Sequence, residues 1–197
     1  MKMSLALSSS ALVTLCAAGM PAFAHEQIYA AVLSGLNENP VNASQGGGAA
    51  VVTVDLDLFT LRVQTTFAGL SGNVTASHIH CCTTAPGNTG VAVHSPSLDG
   101  FPTGGRFGSY DHTFDMTLAT SYNGTFMTAN GGTPSTAFSA LLAGLDAGRS
   151  YLNIHSSFAP GGEIRGFLQP VPEPETYALL LSGLAVVGWV ARRRKSA

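Results

Sequence analysis

Lysine is nearly missing from this chain: among 197 residues only Lys2 and Lys195 are lysine, one at each extreme end. Between residues 25 and 169 the fixed cations are Arg62, Arg106, Arg149 and Arg165, set against nine acidic residues, for a net charge of −5. Nucleic acid demands clustered cations for its phosphates, so a lysine-free acidic body excludes that partner. Attachment to an anionic polysaccharide by charge alone is excluded for the same reason. The abundance of Gly, Ser, Thr and Ala leaves hydrogen bonding to neutral surfaces open. Cysteine is also scarce. Of the three, Cys16 lies near the N-terminus, while Cys81 and Cys82 are adjacent and cannot staple distant parts of a fold. The body must therefore be held by its core. No local motif for a Ser-His-Asp nucleophile or for paired catalytic carboxylates is visible, and the expectation is a protein that is not an enzyme.

The two ends read as address labels. Lys2, a mostly apolar stretch from Leu5 to Ala18 and the small-x-small triplet Ala22-Phe23-Ala24 have the layout of a signal peptide over residues 1–24. At the other end, residues 170–176 form a Pro/Glu link containing Pro172, Glu173 and Pro174. Residues 177–191 are apolar or small, and residues 192–197 open with Arg192, Arg193, Arg194 and Lys195. The apolar run is expected to be a transmembrane helix of roughly 22 Å, at about 1.5 Å per residue. That is short of the ~30 Å hydrocarbon core, so flanking residues or a thin bilayer must help. The basic cluster stays cytoplasmic by the positive-inside rule, which puts the body on the far side of the membrane.

This order of Pro-Glu-Pro, short apolar helix and basic cluster resembles the PEP-CTERM sorting signal of Gram-negative bacteria. The resemblance implies recognition of the tail by an exosortase at the cytoplasmic membrane and its removal there. It further implies a cell-surface or extracellular fate in company with exopolysaccharide and biofilm, where exopolysaccharide or other surface proteins are the candidate partners. A permanent single-pass anchor is the other reading, with the same sidedness.

The body, residues 25–169, carries period-two patterns. Val52, Val54, Leu56 and Leu58 alternate with polar or smaller residues, and so do Leu61, Val63, Thr65 and Phe67. They predict a hairpin turning near residues 58–60. Further strands are expected over residues 28–36, 151–155 and 163–168, the last two joined by Ala159-Pro160-Gly161-Gly162. One helix is predicted after Thr133 as cap and Pro134 as first residue, with Phe138, Leu141, Leu142 and Leu145 on its apolar stripe and Gly144 or Gly148 ending it. Residues 121–128 suggest a looser helical turn. The expected fold is mainly β: an antiparallel, Greek-key-like sandwich or barrel with a short helical insertion.

The stretches "LSGLNENPV" at residues 33–41, "FAGLSGNVTASHIH" at 67–80, "YLNIH" at 151–155 and "PGGEIRGFL" at 160–168 resemble the CHRD domain, named after chordin. The resemblance covers nearly all of the body. It implies an extracellular β module with no established enzymatic activity. Many CHRD domains place a small residue after H-I-H, whereas this chain has Cys81-Cys82, and its segment 83–115 is longer than in the simplest form.

Alternation along a strand puts His78 and His80 on one face, Asn153 and His155 on another shared face, and Glu163 with Arg165 on a third. If these strands are neighbours, His78, His80, His155, Glu163 and Arg165 meet in one polar cluster. One reading is a copper or zinc site, since H-x-H plus a third histidine meets the minimum ligand set. The other is a structural hydrogen-bond network that pins the last hairpin, with no cofactor. For Cys81 and Cys82 three readings stand: a vicinal disulfide, metal thiolates, or bonds between molecules.

Overall fold

The computed structural model describes residues 25–172 and 174–195. The expected signal peptide with its Ala22-Phe23-Ala24 site, and Glu173 of the sorting motif, lie outside the described residues. Nine strands are present among those described: β1 (Glu26–Ser34), β2 (Gly47–Asp55), β3 (Thr60–Ala68), β4 (Val74–Cys81), β5 (Val91–Val93), β6 (Gly108–Asp115), β7 (Ser150–Ser156), β8 (Ile164–Phe167) and β9 (Gln169–Pro170). They form one antiparallel sheet in the order β5-β4-β7-β8-β1-β2-β3-β6, with β9 added alongside β1.

The period-two pattern dictates which face is buried. Tyr29, Ala31 and Leu33 of β1, Ala50, Val52 and Val54 of β2, and Leu61, Val63 and Phe67 of β3 all point inward. Ile79 of β4, Leu152 and Ile154 of β7 and Ile164 of β8 belong to the same core. The sheet is therefore curled, so that inner rows from both halves meet. Each such Val, Leu or Ile contributes about 1.5–3 kcal/mol through burial. The β2–β3 hairpin runs in unbroken register from Gly47↔Ala68 to Asp55↔Thr60. It turns on Asp55, whose carboxylate accepts from the Asp57 and Leu58 amides, both at 2.9 Å.

Two helices close the core. In α1 (Gly124–Ala129) the Asn123 side chain caps the Thr125 and Phe126 amides. In α2 (Pro134–Asp146) Thr133 caps, Pro134 starts the first turn, and Thr136 returns a hydrogen bond to the cap. Ala137, Phe138, Leu141 and Leu145 are its buried stripe. The helix runs past Gly144 and ends before Gly148, whose φ of 62° provides the left-handed stop.

The segment 83–115, for which no strand is predicted, contains a full one. β6 pairs with β3 over eight positions, from Thr60↔Asp115 to Phe67↔Gly108. Its inward row is Tyr110, His112 and Phe114, and the polar middle member masks the alternation.

The tail requires a correction. A helix α3 (Pro174–Lys195) forms, but no helix among the described residues is long and apolar enough to cross a membrane. The apolar run at 177–191 is fifteen residues, bounded by Pro/Glu on one side and four basic residues on the other. Extending the window in either direction brings in charge.

Candidate functional site

β4 and β7 are neighbours, with Ala76↔His155, His78↔Asn153 and His80↔Tyr151 paired in register. β7 pairs in turn with β8 through Tyr151↔Phe167 and Asn153↔Arg165. Ile79, Leu152 and Ile154 face the core, so His78, His80, Tyr151, Asn153, His155 and Arg165 share the opposite face. Loops cover this face. His80 is 8% exposed, and His78 and His155 are half-buried.

Each imidazole is tied by one nitrogen to a backbone carbonyl. His78 Nε2 is 2.7 Å from Pro96 O, His80 Nδ1 is 2.8 Å from Thr89 O, and His155 Nδ1 is 2.8 Å from Pro160 O. A carbonyl only accepts, so these three nitrogens carry the protons. In a neutral ring the second nitrogen is then a bare lone pair. The bare positions are His78 Nδ1, His80 Nε2 and His155 Nε2. His78 Nδ1 and His155 Nε2 face each other at 3.0 Å. One ring nitrogen from each of the three histidines lies within 4.8 Å of the others. His80 Nε2 stands 3.2 Å from Asn153 Oδ1, a contact that bonds only with a proton on the ring or with the amide turned to present its NH2.

Burial disfavours charge on the three rings. It pushes His80 down to about 4, with His78 and His155 adding to the effect against the pull of the Thr89 carbonyl. Burial also lowers His78 and His155, although the Pro96 and Pro160 carbonyls oppose it. Tyr151 stacks on His80 with centroids 4.7 Å apart and 5° between planes, and takes the Arg165 guanidinium over its ring at 4.8 Å.

Glu163 and Arg165 do not join the histidines. Glu163 precedes β8 and follows Gly162, whose φ of 139° breaks the alternation on which the expected cluster relied. Its carboxylate is fully buried and accepts from Ser44 Oγ at 2.6 Å, Ser71 N at 2.5 Å, Gly72 N at 3.2 Å and Ser156 Oγ. Burial alone would raise this carboxyl, but those four donors outweigh it and hold it below the usual range.

Arg165, 1% exposed, clasps two loops. It donates to Asn37 O at 2.5 Å, Pro86 O at 2.7 Å, Gly87 O at 3.3 Å and Asn88 Oδ1 at 2.6 Å. Glu38 Oε2 lies 3.7 Å from it, while Glu38 Oε1 is buried without a hydrogen-bond partner. Burial pushes Glu38 up to about 7, against Arg165 and the Asn39 amide. The G-G-E-I-R-G run is thus a pair of loop clasps. The residues that the sequence could not supply are mostly backbone, since the carbonyls of Thr89, Pro96 and Pro160 carry no side-chain signal. Glu38, inside the N-E-N-P run, was legible as an acid but not as the neighbour of Arg165.

Cys81 and Cys82 are bonded to each other across a cis peptide. Their sulfurs are occupied, and neither is a metal ligand in this state. α2 passes directly over them at Gly144, where a Cβ would overlap both sulfurs. They line one end of an open cleft of about 540 Å³ with Thr89, Asn123, Phe126 and Asn130. Among the other histidines, His94 Nδ1 is 2.6 Å from Ser97 O, His112 packs between Tyr110 and Phe114, and His25 lies beside Asp57. In the tail, Pro172 is exposed, Pro174 starts α3, and Arg192, Arg193 and Arg194 fall in its last turn.

Comparison with known families gives two matches. The CHRD domain matches residues 29–168, and the PEP-CTERM protein-sorting motif matches residues 170–195. No curated protein and no solved structure gives a match.

Proposed function

The chain belongs to the CHRD domain family and ends in a PEP-CTERM sorting motif, and from this we propose that it is a non-enzymatic module delivered to the cell surface or the exopolysaccharide matrix. The motif match over residues 170–195 carries the reading, because it makes the chain a substrate of exosortase processing at the membrane and hence an exported protein. The finer role is structural or binding. Three features support it. The body has a lysine-free, acidic composition suited to neutral rather than anionic partners. Two of its buried ionic groups, Glu163 and Arg165, hold loops. The sorting motif begins where the sheet ends, since Val171 N makes a final bond to Ile28 O at 2.8 Å just before Pro172.

Fractionation of the producing cell tests this. The expected result is a shortened chain in the surface or matrix fraction, and a full-length chain missing from that fraction when the exosortase is deleted. A chain found in the cytoplasm with both ends intact overturns the proposal, as does unchanged surface delivery without the exosortase.

A further inference from the structure

We propose that His78 Nδ1, His80 Nε2 and His155 Nε2 together bind one late first-row divalent cation, zinc or copper, with water in the remaining coordination position. The inference goes beyond the sorting of the chain and does not depend on it.

The argument starts from the protons. Three separate backbone carbonyls, those of Pro96, Thr89 and Pro160, fix three separate N–H groups, each at 2.7 or 2.8 Å. This leaves three lone pairs turned toward one region. A hydrogen-bond network explains the arrangement poorly. The His78–His155 contact at 3.0 Å brings two acceptors together with no donor between them. Lone pairs held together repel, and only a proton or a cation between them makes the contact favourable.

The geometry suits a cation. Tetrahedral coordination with metal–nitrogen bonds of about 2.0–2.1 Å sets neighbouring ligand nitrogens about 3.3 Å apart. The observed spacings, 3.0 Å for one pair and no more than 4.8 Å for any, bracket that value. Donation of the second ring N–H to a carbonyl is the support that orients metal-bound histidines and fixes their tautomer. The donor set is three neutral imidazoles. The sulfurs of Cys81 and Cys82 are bonded to each other, and the Glu163 oxygens are committed to four donors. Imidazole-only sites favour zinc and copper over magnesium or calcium, which require oxygen. His78 and His155 are half-buried, so the cluster is not wholly sealed from solvent.

The test uses the full chain, purified in mild detergent, stripped with chelator and titrated separately with Zn2+ and Cu2+ by calorimetry. One equivalent per chain is expected. The Cu2+ form should show an electron paramagnetic resonance spectrum with hyperfine splitting from three nitrogens. His78→Ala and His155→Ala should each weaken binding by roughly two orders of magnitude, and His112→Ala should leave it unchanged. Saturation by Zn2+ alone, or by Cu2+ alone, assigns the ion within the proposal. No stoichiometric binding of either ion overturns it, as does binding that survives the double variant His78→Ala/His155→Ala. If the variants do not fold by circular dichroism, the spectrum of the unaltered chain decides: three nitrogens support the site, and an oxygen-dominated signal removes it.

Discussion

Replacing Arg165 by methionine should cost this fold a large share of its stability. The guanidinium is 1% exposed and donates four hydrogen bonds, to Asn37 O, Pro86 O, Gly87 O and Asn88 Oδ1. It also covers the rings of Tyr151 and Phe167 at 4.8 and 5.6 Å. Methionine fills much of the stem volume, so the loss is mainly polar. The freed loop carbonyls can recruit water, which trims their cost, but at pH 8, where Glu38 is ionised, its carboxylate loses its countercharge inside the protein. Breaking a buried ion pair from one side costs about 3–5 kcal/mol, against a total of about 5–15 kcal/mol for a domain. We expect a loss of about 3–5 kcal/mol in guanidinium chloride unfolding. Circular dichroism is the proper probe, because it reads the sheet, whereas the single tryptophan, Trp189, lies in α3. Arg165→Lys should recover less than half, since an ammonium cannot reproduce the planar fork. Adding Glu38→Gln to Arg165→Met should restore part of the loss by removing the orphaned charge. A loss below about 1 kcal/mol, the range of exposed pairs, would refute the claim that Arg165 clasps the loops.

Two further outcomes follow from single contacts. Glu38 is raised to about 7 in the fold from an ordinary 4.5, so the folded state holds its proton more tightly than the unfolded one. Its contribution to stability is therefore greatest below pH 4.5 and falls as pH rises toward 7, by up to about 3 kcal/mol. Glu38→Gln should match the native chain near pH 4 and exceed it at pH 8 in paired denaturation curves; a native chain that remains the more stable at pH 8 would mean that the Arg165 pairing outweighs burial. Gly144→Ala puts a methyl group against both sulfurs of the Cys81–Cys82 link and should destabilise by about 1–3 kcal/mol from overpacking, despite alanine's better helix propensity. A thermal melt that rises instead would show that α2 can lift off.

The legible parts of the sequence are those governed by local rules. Val52-x-Val54 against Leu61-x-Val63 dictates a hairpin, and Thr133-Pro134 dictates a helix start, because both signals lie within a few residues of what they control. The facing of His78, His80 and His155 follows from alternation once β4 and β7 are adjacent, but those strands are some seventy residues apart, and periodicity says nothing about which strands pair. Glu163 shows where the local rule stops: Gly162 turns the chain, the strand begins only at Ile164, and the carboxylate leaves the row that alternation assigns to it. β6 is obscured because a polar residue, His112, stands between Tyr110 and Phe114 in its inward row.

The pairing of β9 with β1 has a mechanical consequence. Tyr29 lies opposite Pro170 and Ala30 opposite Gln169, so the two ends of the sheet's chain lie side by side at one end of the inner strand β1. Tension between the two ends would open that short zipper bond by bond rather than shear the inner strands. A load borne by the tail reaches β9 first. Severing the chain beyond Val171 would release the domain from its tether without drawing a strand out of the sheet.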